Sequence, residues 1–323
     1  MDNEVTIPQL CYNGEPLDMS PQCFGQLRVS TDALDDAEEL RQRMAADGYL
    51  FVPGYLDLDQ VIEARHDLLQ RLAELGCLDP HHPVAEGILK PETSLNFSPD
   101  LAANNPSLER VLYSGPMMKF FEHFLGGEVA HFDYTWFRTK GPGTTTATNP
   151  HCDIVYMSRG THNLYTAWVP FSDIPYGSSG LMVLENSHLN DEVRGSYGQF
   201  DVDAYCENDP EAAQVVERVR SENRELTGEE RAAIARAWSG HYSKYAIAVR
   251  EELGGRWLSA EYRMGDLLVF CMNLMHSSSD NQTDRVRLSS DSRYQLASEP
   301  QDGRWIGEDP PQHGIRAKEG MIC

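Results

Sequence analysis

From residue 129 onward, the side chains of this chain alternate with the period of two that is typical of a β-strand. The alternation is clearest over 129–139, and short strand-like runs follow at 164–171, 181–184, 261–270 and 287–296. Glycine, proline and asparagine separate these runs. Many short strands divided by turn residues predict a β-sandwich or a jelly roll.

The segment before residue 129 is predicted to be an irregular arm followed by helices. Residues 1–30 contain three prolines and have no clear period. Amphipathic spacing after capping aspartates predicts helices near 32–46 and 57–75. A stripe of Leu, Met and Phe predicts another helix over 106–125. We expect these helices to flank the β-rich core.

One domain is predicted for the whole chain of 323 residues. The arm and helices occupy 1–128, and the core occupies 129–296 with a helical insert at about 207–256. Residues 297–323 are rich in proline, glycine and charge, and this tail is expected to lie over the surface. The predicted fold class is therefore mainly β with flanking helices, a double-stranded β-helix (a cupin-like jelly roll).

Composition excludes several classes of function. Fifty acidic residues against 27 basic ones give a net charge of −23, which argues against binding to nucleic acid or to an anionic membrane. No apolar run approaches the roughly 18 residues of a membrane span, and the acidic N-terminus lacks a secretory signal. The seven cysteines are scattered and indicate reduced thiols. We expect a cytoplasmic protein that acts on a small molecule, in an oligomeric state that the sequence leaves unknown.

A histidine and a carboxylate two residues apart, His151 and Asp153, follow a loop rich in Gly, Pro and Thr. In a strand, or in the turn that leaves it, residues i and i+2 point to the same face and can bind one metal ion. His276, at the end of a later strand, supplies a second imidazole. Two histidines and one carboxylate on one face are the ligands of mononuclear non-haem Fe(II) oxygenases. On the residues alone, a second interpretation stays open, in which both histidines are buried and only satisfy hydrogen bonds.

Arg287 and Ser289 begin the strand that follows His276. Their spacing places a guanidinium and a hydroxyl on the same face, near the predicted metal. Such a pair suits the distal carboxylate of a dicarboxylate, whose other end, a keto acid, would chelate iron. The molecule 2-oxoglutarate has these two ends, so the pattern indicates it as a cosubstrate.

Beyond these residues, the chain resembles the phytanoyl-CoA dioxygenase family of Fe(II)/2-oxoglutarate-dependent oxygenases in an ordered set of short motifs. These motifs are Asp47 to Gly54 (DGYLFVPG), His151-x-Asp153, Trp168, Ser179 to Leu184 leading to Asn186-Ser187-His188, Gly265-Asp266, and His276 with Asn281 and Arg287. The chain departs from the family pattern at Asn186, where the family has glycine, and in its long helical insert.

The resemblance implies a role for each of seven residues. The implied ligands of Fe(II) are His151, Asp153 and His276. The residues implied to bind 2-oxoglutarate are Arg287, Ser289, Trp168 and Lys90. Taken singly, Trp168 is explained equally well as a core residue, and a loop lysine such as Lys90 is more often solvated.

The activity implied by the resemblance is the oxidation of an organic small molecule, most simply its hydroxylation, with O2 consumed and succinate and CO2 released. Related halogenases lack the carboxylate ligand, and Asp153 argues against that branch. A non-catalytic sensor that binds metal or 2-oxoglutarate on the same fold stays open as an alternative.

The insert at about 207–256 is expected to be a lid that selects the substrate, because long insertions in compact domains are often lids or binding loops. Four aromatic side chains cluster where its helical pattern returns to the sheet: Trp238, His241, Tyr242 and Tyr245. The alternative is that these rings only pack the insert onto the sandwich.

Overall fold

Strands from both halves of the chain build two large β-sheets, and β1 and β2 pair in a separate two-stranded sheet. The computed structural model describes residues 7–91, 93–143, 145–203, 210–230, 239–313 and 317. The strands are β1 (Cys11–Tyr12), β2 (Glu15–Pro16), β3 (Phe24–Gln26), β4 (Tyr49–Val52), β5 (Val129–His131), β6 (Trp136–Lys140), β7 (Tyr165–Pro170), β8 (Leu181–Leu184), β9 (Trp257–Ser259), β10 (Leu267–Cys271), β11 (His276–Ser278) and β12 (Arg287–Leu296).

The helices lie mostly before the β-rich region and within the insert. They are α1 (Ala37–Asp47), α2 (Leu58–Glu74), α3 (Pro106–Leu112), α4 (Gly115–Leu125), α5 (Asp191–Gly195), α6 (Pro210–Ser221) and α7 (Ala246–Leu253). Among the described residues, no helix combines the length and the apolar character needed to cross a bilayer.

Two sheets face each other and enclose a core. The larger sheet has the order β4-β10-β7-β12-β5, with β6 also paired to β12, and the smaller sheet has the order β11-β8-β9-β3. Val183 of β8 and Leu258 of β9 pack in one buried cluster with Trp168 of β7 and Phe270 of β10. Because one cluster joins residues of both sheets, the sheets form a sandwich.

The N-terminal helices cover the outer face of the larger sheet. Buried side chains of α2 and α4 share a hydrophobic cluster with Ala167, Val169 and Leu288, which alternate with residues that point into the sandwich. Aspartates cap both helices. Asp57 accepts hydrogen bonds from two backbone N–H groups of α2, as predicted, whereas α1 is capped by Asp36, which accepts from two of its N–H groups, and not by the predicted Asp32 or Asp35.

The helix predicted over 106–125 is two helices, α3 and α4. Pro116 lacks the N–H that would bond to the carbonyl of residue 112, and its ring would clash with that carbonyl. The first helix therefore ends at Leu112, and Pro116 occupies the first turn of the next, where proline is tolerated. The stripe of apolar residues is continuous in the sequence, which is why the break was missed.

The arm is less irregular than predicted, and the sandwich begins before residue 129. Strand β3 pairs in parallel with β9, and β4 pairs antiparallel with β10. The partners of β3 lie more than 200 residues away in the chain, and three residues are too few to show a period. The division at residue 128 therefore leaves out two strands of the sandwich.

The prediction that residues 297–323 lie over the surface is wrong for the segment around Trp305. Trp305 is 1% exposed and packs against Trp136, with ring centroids 4.5 Å apart. The neighbouring Arg304 is also buried and forms ion pairs with Asp302 at 2.6 Å and Asp203 at 2.7 Å. The charges of Asp302 and Arg304 therefore belong to a buried network and are not solvated.

We predict that Trp305→Ala lowers the free energy of unfolding by about 3–5 kcal/mol, because it removes a fully buried indole from a packed core. Urea denaturation monitored by circular dichroism would measure the change. The matched control is Leu75→Ala, since Leu75 is 69% exposed and its loss should cost little. Equal and small effects of both substitutions would mean that the tail contributes nothing to stability.

Candidate active site

Two backbone hydrogen bonds bring the two predicted histidine ligands together. The N–H of His151 donates to the carbonyl of His276 at 3.1 Å, and the N–H of His276 donates to the carbonyl of His151 at 2.9 Å. This reciprocal pair forms an isolated antiparallel bridge. The two imidazole centroids lie 4.2 Å apart as a result.

Asp153 completes a buried cluster of three possible ligands. It begins a short 3₁₀ turn directly after the bridge. Its Oδ1 lies 3.9 Å from Nε2 of His151 and 3.8 Å from Nε2 of His276. One ligand atom from each residue lies within 4.8 Å of the others, a separation that a single metal ion can span. The structure therefore brings together the three residues predicted as ligands.

Both histidines present the nitrogen that a metal needs. The Nδ1 of His151 lies 2.7 Å from the carbonyl of Asn149, and the Nδ1 of His276 lies 3.0 Å from the carbonyl of Leu274. A carbonyl only accepts, so each Nδ1 carries the proton and each Nε2 keeps its lone pair. Burial lowers the pKa of both imidazoles, which are therefore neutral at pH 7.

The two oxygens of Asp153 have different surroundings. Oδ2 accepts a hydrogen bond from Thr166 Oγ1 at 2.5 Å and an ion-paired hydrogen bond from Arg293 Nη2 at 2.9 Å. Oδ1 faces the two histidines. Burial alone would raise the pKa of Asp153, but the charge of Arg293 and the hydrogen bond from Thr166 lower it below its usual range. The carboxylate is therefore ionised and oriented.

Arg287, Ser289 and Trp168 lie together on the inner face of the larger sheet. Arg287 Nη1 donates to Ser289 Oγ at 2.6 Å, and the guanidinium carbon lies 5.2 Å from the ring centroid of Trp168. Nε of Arg287 and Nε1 of Trp168 are buried, and neither has a hydrogen-bond partner among the described residues. Two buried donors side by side fit a ligand that is rich in acceptor oxygens.

Arg287 lacks a carboxylate partner of its own among the described ion pairs. Burial lowers its pKa to about 9, although Asp291 opposes the shift, so the guanidinium is still protonated at neutral pH. A small cavity connects this cation to the possible metal ligands; its lining includes Arg138, His151, His276, Ser278, Arg287 and Asp291. The arrangement offers an anion-binding group and a metal-binding group in one cavity.

Lys90 does not lie in this cavity, contrary to the role that the resemblance implied. It is exposed, and its ammonium group lies beside Gly76, just after α2. The lysine that lies opposite Arg287 in the sheet is Lys140 of β6, which is 1% exposed and donates to the carbonyl of Thr146 at 2.7 Å. The role was assigned to Lys90 by aligning short motifs, and the loops before residue 129 are too variable to fix that alignment.

Several further polar residues of the site were missed in the sequence, although a signal was present. Alternate residues of a strand share a face, so the Arg-x-Ser pattern of β12 continues inward through Asp291 and Arg293. Arg138 of β6 follows the same rule, and its Nε donates to Asp291 Oδ2 at 2.7 Å. Thr166 carries no such signal, because a single threonine in an apolar strand is common.

The end of the insert lies against the His151 segment. The N–H of Tyr242 donates to the carbonyl of Pro150 at 2.9 Å, and the hydroxyl of Tyr156 donates to the carbonyl of Ser239 at 2.7 Å. The ring centroid of His241 lies 5.9 Å from that of His151. Burial, together with the charge of nearby Arg138, lowers the pKa of His241 to about 4, so this ring is neutral at pH 7. Trp238, which was predicted to join these aromatics, lies outside the described residues.

Comparison with known proteins agrees with this geometry. A sequence profile of the phytanoyl-CoA dioxygenase family matches residues 44–289, which is more than half of the chain. The chain is also similar to 1-deoxypentalenic acid 11-beta-hydroxylase of Streptomyces exfoliatus, with 27% identity over 164 residues. That match covers 49% of this chain and 56% of the hydroxylase, so it spans little more than half of that relative.

Solved structures share the fold. The epimerase SnoN from nogalamycin biosynthesis, described as non-haem and α-ketoglutarate-dependent, has 18% identity and a TM-score of 0.53, over 87% of this chain and 94% of its own. EctD from S. alaskensis, in its apo form, has 17% identity and a TM-score of 0.53, over 96% and 94% of the two chains. The predicted fold, a jelly roll with flanking helices, is confirmed. On the extent of the sequence match, this chain belongs to the phytanoyl-CoA dioxygenase family.

Proposed function

We propose that this protein is an Fe(II)- and 2-oxoglutarate-dependent dioxygenase that hydroxylates an organic small molecule and releases succinate and CO2. The observation that supports this most directly is the convergence of one carboxylate oxygen with two neutral Nε2 atoms, whose histidines line the same cavity as Arg287. Two histidines and a carboxylate on one face are typical of non-haem Fe(II) oxygenases.

The donor atoms fit both groups. His151, Asp153 and His276 would hold Fe(II) through atoms that no other described hydrogen bond occupies. Arg287 and Ser289 would hold the distal carboxylate of 2-oxoglutarate, with Trp168 against its carbon chain. Lys140 adds a second buried nitrogen near Arg287, in the role first assigned to Lys90. When bound, iron and 2-oxoglutarate would supply the activation of O2 and the two-electron oxidation of the substrate.

The chain itself would position the reactants and exclude water. The possible ligands are 5% exposed or less, and Phe270 packs within 4.7 Å of the His276 ring centroid. A dry site strengthens the ionic contacts to Arg287 and protects reactive species from side reactions. In this arrangement no side chain has to act as a general acid or base.

The proposal of a small organic substrate rests on the family and on one relative. The name of the Streptomyces relative describes the hydroxylation of 1-deoxypentalenic acid, a small organic acid. We infer hydroxylation as the reaction of this chain from that similarity. Its cytoplasmic location stays a prediction.

Coupled turnover would test the function. The purified chain, loaded anaerobically with Fe(II) and given 2-oxoglutarate and O2, should release succinate faster when a library of small organic acids and alcohols contains a substrate. Oxidised product detected by mass spectrometry would accompany the succinate. If 2-oxoglutarate binds but no succinate forms with any compound or in the uncoupled reaction, the sensor alternative is favoured.

We further propose that the end of the insert forms a wall of the substrate site. Substitutions at its two tyrosines can distinguish contact with substrate from a purely structural packing role. Tyr242 packs edge-on against Tyr197 and donates to Glu252, whereas Tyr245 is 65% exposed. Tyr242→Ala should therefore lower thermal stability, while Tyr245→Ala should leave it nearly unchanged. With a substrate in hand, a raised KM in Tyr245→Ala would support contact with substrate. An unchanged KM in both variants would remove these tyrosines from the substrate site.

A further inference from the structure

Arg293 is a buried cation with one ionic partner among the residues that the structure describes. It lies on β12, six residues after Arg287 and on the same face, and it is 2% exposed. Its Nη2 donates to Asp153 Oδ2 at 2.9 Å, and its guanidinium carbon lies 4.3 Å from the ring centroid of Trp136. Nε and Nη1 are buried and have no hydrogen-bond partner among the described residues.

Burying such an arginine has an unfavourable desolvation free energy, so its presence in the core requires an explanation. A guanidinium has five N–H donors, and only close counter-charges and hydrogen bonds offset the free energy of removing it from water. Here one oxygen of Asp153 and one aromatic face provide the compensation. The position of Arg293 is therefore explained by what it does to Asp153 and not by a gain in stability.

Arg293 gives the two carboxylate oxygens of Asp153 different environments. Arg293 and Thr166 both donate to Oδ2, while Oδ1 faces the two histidines. A carboxylate can bind a metal through one oxygen or through two. An oxygen that already accepts an ion-paired and a hydroxyl hydrogen bond is poorly placed to bind a cation as well.

We propose that Arg293 is a positioning residue that, together with Thr166, restricts Asp153 to one metal-binding oxygen, Oδ1. This inference rests on the proposed function, since it assumes a metal at His151, Asp153 and His276. A carboxylate that uses one oxygen leaves an additional coordination position free for molecules that come from outside the protein, as an oxygenase site requires.

The test uses Mn(II) alone as the probe and the full chain as the protein. Crystal structures of the Mn(II)-bound wild type, Arg293→Met, Arg293→Lys and Thr166→Val would give the two distances from the metal to the oxygens of Asp153. We expect one short distance in the wild type and in Arg293→Lys, which keeps the charge. In Arg293→Met we expect the carboxylate to turn and both oxygens to bind.

Arg43→Met is the matched control, because Arg43 is also buried and its Nη1 lies 2.6 Å from Asp32, far from the site in the fold. Arg43→Met should lower the stability of the protein but leave the distances from Mn(II) to the Asp153 oxygens unchanged. If Arg293→Met folds poorly, it can be purified with Mn(II) present, since the metal supplies counter-charge to Asp153.

The outcomes separate this inference from the proposed function. If the wild type binds no Mn(II) at the three residues, the proposed function fails. If the wild type binds Mn(II) through both oxygens of Asp153, only the role of Arg293 is overturned. It is equally overturned if Arg293→Met loses stability but keeps a single short distance, because a purely structural residue would behave in that way.

Discussion

In Asp153→Ala, metal binding is expected to weaken by at least two orders of magnitude, and turnover is expected to fall with it. The substitution removes Oδ1, which is the only anionic atom in the cluster of three ligand atoms. The remaining two imidazoles are neutral, because burial lowers the pKa of each. Anaerobic titration with Fe(II) or Co(II) would measure the affinity, and succinate release would measure turnover.

The same substitution should also destabilise the protein without metal. Arg293 would lose Asp153, its one ionic partner in the described part of the chain, and stay buried. Breaking such a pair costs about 3–5 kcal/mol. Asp153→Ala combined with Arg293→Met should recover part of this loss but none of the metal affinity. Asp36→Ala is the control, because it removes only the cap of α1 and should leave metal binding intact. Near-normal turnover in Asp153→Ala would contradict the ligand assignment.

In Arg287→Ala, the affinity for 2-oxoglutarate is expected to fall by roughly 30-fold or more, which corresponds to the 2 kcal/mol or more lost when one partner of a buried charge pair is truncated. The guanidinium is 2% exposed and is the group in the cavity best placed for a distal carboxylate. Metal affinity should change much less, because Arg287 makes no described contact with the three ligands.

Two milder variants should cause smaller losses of 2-oxoglutarate affinity, against which the effect of Arg287→Ala can be compared. Ser289→Ala removes a single hydroxyl partner of Arg287 and should cost about 1 kcal/mol of 2-oxoglutarate binding. Arg287→Lys keeps the charge but loses the planar guanidinium. Its loss of 2-oxoglutarate affinity should therefore lie between those of Ser289→Ala and Arg287→Ala. Titrations with Mn(II) held at saturation separate cosubstrate affinity from metal affinity. An unchanged 2-oxoglutarate affinity in Arg287→Ala would rule out Arg287 as its anchor.

The parts of the molecule that were predictable from sequence are those with local periodicity. The alternation along β12 placed Arg287 and Ser289 on one face, and the i, i+2 rule placed His151 beside Asp153. The pairing of those two with His276 came from the order of family motifs, because the 122 residues between Asp153 and His276 show no local pattern that would reveal the contact.

The parts that were missed depend on long-range contacts. Lys90 and Lys140 are both lysines before the His-x-Asp motif, and only the register of β6 against β12 shows which one faces Arg287. Strand β3 is three residues long and has a distant partner. The burial of Trp305 depends on Trp136, a residue of another strand. None of these pairings leaves a period in the sequence.

The bridge between His151 and His276 has a consequence for how the site responds to fluctuations. Each histidine donates its backbone N–H to the carbonyl of the other, so the two amides are held by the same reciprocal pair. The backbones of the two histidines can separate only if both bonds break, and β11 is also paired with β8 inside the sandwich. Exchange of these amides with deuterium should therefore require the opening of a sheet instead of a loop. The spacing of the histidines is therefore a property of the sandwich backbone and does not depend on the loops that surround the site.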